Sequence, residues 1–156
     1  MIPRRIVSGA QTGADRAALD AALELGAPTG GWVPRGRRAE DGRIADRYPN
    51  LRETDGDEYE TRTRWNVRDS DATLILAHGP LTGGSAFTQE VARELGKPVL
   101  YVDLDAAAID DAVRTIRAWL ATLSGDTLNV AGPRASKDPL IYEKTREIVK
   151  ALLLDA

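Results

Sequence analysis

The sequence predicts an α/β fold built on a parallel sheet with helices on both faces. Three observations predict it. Short β-prone runs alternate with segments whose apolar residues recur at helical spacing. The run ATLILA (72–77) is continuously apolar, as a strand covered on both faces must be, and PVLYVDL (98–104) reads the same way. Glycine-rich turns separate strand from helix at three points.

Taken in order, RRIVS (4–8) predicts the first strand, and a helix follows over 14–25, where Ala18, Leu19, Ala22 and Leu23 share one face. Gly26 stops that helix, with Pro28 just beyond. GGWVP (30–34) reads as a second strand. The segment 35–57 is polar and without period; a stretch of that length inside a compact domain is usually functional or mobile. A helix is expected over 58–68, then the third strand at 72–77. A helix from about Ala86 to Leu95 ends at Gly96, and the fourth strand follows. A helix over 108–123 buries Val113, Ile116, Trp119 and Leu120. TLNVAG (127–132) gives a fifth strand, and a last helix spans about 139–153. The whole chain, 1–156, is expected to form one ligand-binding domain.

Composition narrows the function. There is no cysteine, which excludes disulfides, thiolate nucleophiles and cysteine-based metal sites and suits a reducing cytoplasm. The net charge of −3 argues against a general nucleic-acid coat. No apolar run reaches membrane length, and the first residues, MIPRRIVSG, are too short an apolar stretch for a signal peptide. A cytoplasmic protein with no membrane or nucleic-acid partner is expected.

In parallel sheets ligands sit outside the carboxyl ends of the strands, where the strand order reverses. Four turns at that end carry suitable chemistry. SGAQTGAD (8–15) opens the first helix: Gly9, Ala10 and Gly13 keep the backbone bare, and Gln11, Thr12, Asp15 and Arg16 stand beside free helix N–H groups that suit phosphate. The same residues also suit an ordinary tight turn with Asp15 set against the helix dipole. GPLTGGS (79–85) brings Thr82, Gly83, Gly84 and Ser85 to a helix start; paired glycines let successive N–H groups face one concavity, whereas Ser85 also suits a plain N-cap. NVAGPRASK (129–137) turns at Gly132 and supplies Arg134, Ser136 and Lys137. WVPRGRRAEDG (32–42) supplies Arg35, Arg37 and Arg38 for an anion and Trp32 for a flat ring, or else a solvated basic loop beside a core tryptophan.

Other candidates weigh less. Asn66, Arg68 and Asp69 precede the third strand and so fall at the opposite end of the sheet, unless a long helix carries Arg62 or Asn66 back. His78 ends the third strand with no carboxylate near it in sequence. Asp103 and Asp105 follow the fourth strand. No segment has metal-ligand spacing.

Taken together, SGAQTGADRAALDAAL, GGWVPRGRRAEDG, RYPNLRET, TRWNVRDSDATLIL, GPLTGGSAFT, GKPVLYVDL and LNVAGPRASK resemble the molybdenum carrier family, the circularly permuted YpsA-type branch of the SLOG superfamily. The likeness spans nearly the whole chain; Ala10 stands where the family pattern has a second glycine. It implies a three-layer, Rossmann-like parallel sheet of about five strands, with the last strand displaced to the centre and the order 2-1-5-3-4. It implies a phosphate-bearing, nucleotide-like ligand, with molybdenum cofactor (molybdopterin) or a nucleotide as the bound group. A molybdoenzyme recipient and a homo-oligomer, dimer or tetramer, follow from the same likeness. The wider superfamily leaves two alternatives: a hydrolase of nucleotide derivatives, with Glu90, Asp15 or Asp103 as acid–base groups, or a nucleotide-sensing signalling module.

Overall fold

A computed structural model describes residues 1–154. Thirteen elements follow one another: β1 (Arg5–Val7), α1 (Ala14–Glu24), β2 (Thr29–Val33), β3 (Arg38–Ala39), β4 (Gly42–Arg43), β5 (Leu51–Glu53), α2 (Tyr59–Asp69), β6 (Ala72–Ala77), α3 (Gly83–Glu94), β7 (Val99–Asp103), α4 (Ile109–Leu120), β8 (Thr127–Ala131) and α5 (Ile141–Leu154). Six strands form one sheet in the order β5-β2-β1-β8-β6-β7. Every pairing in it is parallel.

The late strand β8 lies at the centre, with Ile6 opposite Leu128 on one side and Leu74 opposite Val130 on the other. The five expected strands therefore stand in the expected order. The count is six because β5 adds an edge beside β2, pairing Gly31 with Leu51. This corrects the reading of 35–57 as irregular, as does the small antiparallel hairpin β3–β4. β5 is three residues long and mostly exposed, so no alternation marks it; only its partner strand specifies it.

Helix ends follow local chemistry. At the end of α1, Gly26 takes φ +71° and donates to the Leu23 carbonyl, while the Ala27 N–H reaches back to Ala22 at 2.9 Å. At the end of α3, Gly96 takes φ +65° and donates to Arg93, while Lys97 N–H bonds Ala92 at 2.9 Å. Both are Schellman caps, in which left-handed glycine lets the last carbonyls find donors. α3 begins at Gly83, three residues before the expected Ala86, because glycine's weak helix propensity hides the first turn. The N-cap position is Thr82, and Ser85 lies inside the helix.

The helices cover both faces. Ala14, Ala18 and Ala22 of α1, Val113 and Ile116 of α4, and Ile148 and Leu152 of α5 pack on Ile6, Leu74, Leu76, Leu128 and Val130 in the main core. The alanines let α1 lie close against α5 and the sheet. On the other face Val67 of α2 packs with Val91 and Ala92 of α3. Burying each such aliphatic side chain contributes about 1.5–3 kcal/mol. Among the described residues no helix is long and apolar enough to cross a membrane.

Candidate functional site

Strands β1, β8 and β6 are neighbours, so their following loops meet at one rim. Gly132 fits because a side-chain carbon there would strike the Leu76 carbonyl and Ala14; one at Gly13 would strike the Pro133 carbonyl. The Ala14 N–H donates to Pro133 O at 3.2 Å, and the Ala135 N–H to Thr12 Oγ1 at 3.0 Å. On the far side, a carbon on Gly83 would lie 2.8 Å from Lys137 Nζ. The β8–α5 loop thus bridges the other two turns.

Between these loops and α2 lies a pocket of about 450 Å³, a size suited to a small organic ligand. It is lined by ten of the turn residues singled out from sequence: Gly9, Gln11, Asp15, Thr82, Gly83, Gly84, Ser85, Gly132, Arg134 and Lys137. Gly83 and Gly84 are exposed, and no side chain caps the α3 N-terminus. Its first N–H groups have no intrahelical acceptor and point their partial positive charge outward. Lys137 and Arg134 add full positive charges beside them.

The rest of those turn residues are not on the pocket wall. Ala10 is buried behind the first turn at φ +56°, a left-handed conformation that alanine adopts at some cost. Gly13 is the N-cap residue of α1. Arg16 pairs with Asp41 and donates to Ala10 O at 3.0 Å. Thr12 and Ser136 donate to Glu40. Trp32 packs edge-on against Trp65 with centroids 4.8 Å apart, carries Arg52 over its face and donates from Nε1 to Asp69 at 2.8 Å. That environment engages both the ring and its N–H. Arg35 donates to Asp55 O, and Arg38 donates to Asp57 O at 2.8 Å while lying over the Tyr59 ring.

Sequence reasoning underrated α2. Because α2 leads into the start of β6, its own first turns lie at the ligand end, and Tyr59, Arg62, Thr63 and Asn66 share the helix face that lines the pocket. The signal was present as polar residues spaced three and four apart. Asn66 is carried back to the ligand end, the alternative left open for it, and also clamps β2: Trp32 N–H donates to its Oδ1 at 2.7 Å, and its Nδ2 donates to Trp32 O at 2.9 Å. Asn129 also lines the wall. His78 gains a distant carboxylate, with Nδ1 2.6 Å from Asp138 Oδ2. Glu90 is exposed, and Asp103 accepts the N–H groups of Gly79 and Asp105 in its own turn.

The electrostatics centre on Asp15 and Arg62. Both line the pocket, with Arg62 Nη2 4.0 Å from Asp15 Oδ2. Burial pushes the Asp15 carboxyl up to about 6, against the pull of Arg62. Burial also lowers the Arg62 guanidinium, against the pull of Asp15. Its Nε is buried without a partner, packed over Gly9.

A parallel sheet with its last strand at the centre, and a polar pocket over the carboxyl ends of β1, β8 and β6, defines the Rossmann-like class of α/β folds. Residues 6–153 match the circularly permutated YpsA SLOG family, and the chain belongs to it. It is similar to the crystal structure of a "Putative molybdenum carrier protein" from Syntrophus aciditrophicus SB, at 49% identity and TM-score 0.95, over 97% of this chain and 96% of that one. No curated protein matches.

Proposed function

We propose that this chain binds a small molecule through a phosphate group and holds its polar ring in the pocket. One observation carries the reading: the uncapped α3 N-terminus at Gly83–Gly84 faces Lys137 and Arg134 at the mouth of a pocket whose lining also includes Arg62. Helix N–H groups and fixed cations are the donor set a phosphate needs. Buried Asn66, Thr63, Thr88, Asn129 and Gln11 supply polar contacts for a heterocycle deeper in.

The relative's name makes molybdenum cofactor, a pterin with a phosphate tail, the first candidate cargo, and a nucleotide the second. Among the described residues no cluster of three or more metal-ligating side chains exists. The donor set fits the organic phosphate and not direct coordination of the metal, so the protein's grip would fall on pterin and phosphate. A carrier in this sense hands its cargo to a recipient molybdoenzyme.

The test is native mass spectrometry of the purified protein, alone and with a panel of molybdenum cofactor, nucleoside monophosphates and dinucleotides. Stoichiometric retention without product, lost in Gly84→Asp, supports a carrier; no binding across the panel refutes it. Asp15 favours one second reading, hydrolysis of a nucleotide derivative, since a pocket carboxyl that keeps its proton to about pH 6 suits acid–base work. Product formation that disappears in Asp15→Asn would support that reading.

A further inference from the structure

The carboxylate of Glu40, at the tip of the β3–β4 hairpin, already sits in a set of anion donors. It accepts the Thr12 hydroxyl, the Ser136 hydroxyl and, at 3.2 Å, the Ser136 N–H. Arg134 Nε lies 3.7 Å away. These contacts hold the Glu40 carboxyl below the usual carboxylate range, the Ser136 hydroxyl first and Thr12 next. The set adjoins the pocket directly, because Arg134 and Gln11 belong to both: Gln11 lines the pocket and its Oε1 accepts the Glu40 N–H at 2.8 Å.

Fastening the hairpin does not require this carboxylate. Its tip is tied independently by the Arg16–Asp41 ion pair and by the Gln11 bond to the Glu40 backbone. What the carboxylate does add is a negative charge among two hydroxyls, one amide and a guanidinium, the donor chemistry of a phosphate site. Its side chain is 24% exposed, so it can rotate to solvent without dismantling the turn.

We propose that Thr12, Ser136 and Arg134 form a second anion subsite, closed in the free protein by the chain's own Glu40 carboxylate, and that it takes the second phosphate of a doubly phosphorylated ligand. The proposal rests on the first phosphate binding at Gly83–Gly84. Displacing Glu40 exchanges one anion for another, so the second phosphate gains most when its charge exceeds that of a carboxylate. Singly phosphorylated ligands leave Glu40 in place. The subsite thereby discriminates by phosphate number.

The experiment soaks crystals of the wild type, Glu40→Gln, Glu40→Ala and Glu40→Ala/Ser136→Ala in a concentration series of selenate, a tetrahedral dianion located by its anomalous signal. The expected result is selenate at Gly84 in all four proteins. A second selenate among Thr12, Ser136 and Arg134 should reach half-occupancy at a concentration roughly tenfold lower in Glu40→Ala than in wild type, and should be lost in the double variant. Glu40→Gln keeps the side-chain shape and should also admit the second ion. Selenate at Gly84 alone in both single variants overturns the second subsite and leaves the first reading standing. Persistence in the double variant overturns the assignment to this donor set, and selenate at neither position overturns both readings.

Discussion

The Arg62 guanidinium lies directly over Gly9, so closely that any side-chain carbon on Gly9 would collide with its Nε. The glycine that sequence reading assigned to ligand approach is also the floor on which a buried arginine rests. Gly9→Ala should therefore move Arg62 and not the backbone, because a flexible side chain gives way first. The expected outcome is a stability loss of about 1 kcal/mol or less and a drop in sulfate affinity comparable to that of Arg62→Met, roughly tenfold. Chemical denaturation and isothermal titration read the two quantities. A stability loss with unchanged affinity would remove Arg62 from the site.

Gly84 provides a separation of fold from function. A side-chain carbon there meets nothing within 4 Å. In Gly84→Asp the new carboxylate lies in the first turn of α3, where negative charge favours the helix by about 0.3–1 kcal/mol. The melting temperature should hold or rise slightly while anion binding disappears. Gly132→Ala should lose stability as well as binding: its carbon would strike the Leu76 carbonyl and Ala14, costing about 2 kcal/mol or more through forced displacement of packed backbone. Paired thermal melts and titrations on the two variants test the contrast.

Asp15 makes anion binding depend on pH in a definite direction. Its carboxyl is raised to about 6 by burial. Below that pH the pocket loses a negative charge, so sulfate, a dianion throughout the range, should bind more tightly as pH falls from 7.5 to 5. Asp15→Asn should remove that dependence and bind at pH 7.5 as the wild type does at pH 5.

The same shift has a consequence for stability. The folded chain keeps this proton to about pH 6 and the unfolded chain releases it near 3.8, so between those values the native state holds more protons. Asp15's contribution to stability is then present below 3.8 and lost as pH rises through 6, on the order of 3 kcal/mol. Urea midpoints for wild type and Asp15→Asn at pH 4, 5, 6 and 7 should diverge across that window. Parallel curves would mean that Asp15 titrates as an exposed carboxylate does.

The His78–Asp138 contact ties the end of β6 to the loop that carries Arg134 and Lys137. Asp138 also accepts the Leu140 N–H at 3.1 Å. Asp138→Ala should weaken anion binding several-fold without touching the pocket wall, and should cost about 1–2 kcal/mol. Titration together with hydrogen exchange of residues 133–138 checks both effects.

Much of this was legible in the sequence, for reasons that differ by element. ATLILA could only be a strand buried on both faces, and Gly26 and Gly96 marked helix ends because their left-handed geometry is a glycine property. The three glycine turns were found because strand-to-helix loops in parallel sheets share one rim. β5 was hidden because its three residues carry no pattern apart from β2. Arg62 and Asn66 were legible only as an alternative, because the direction in which α2 runs is not written in its own residues. The surroundings of Trp32, left open between a ring platform and a core position, were not legible, because Trp65, Arg52 and Asp69 reach it from three separate segments. Glu40's seat among Thr12 and Ser136 joins positions 96 and 28 residues away, a distance no local motif spans.

The position of β8 has a bearing on synthesis. β1 and β6 do not pair with each other; each pairs with β8, which the ribosome makes after both. Until residues 127–131 emerge, the nascent sheet consists of two separate halves with their inner edges bare. Closure of the sheet therefore waits on β8, and an edge left bare in the interval is open to pairing with the wrong strand.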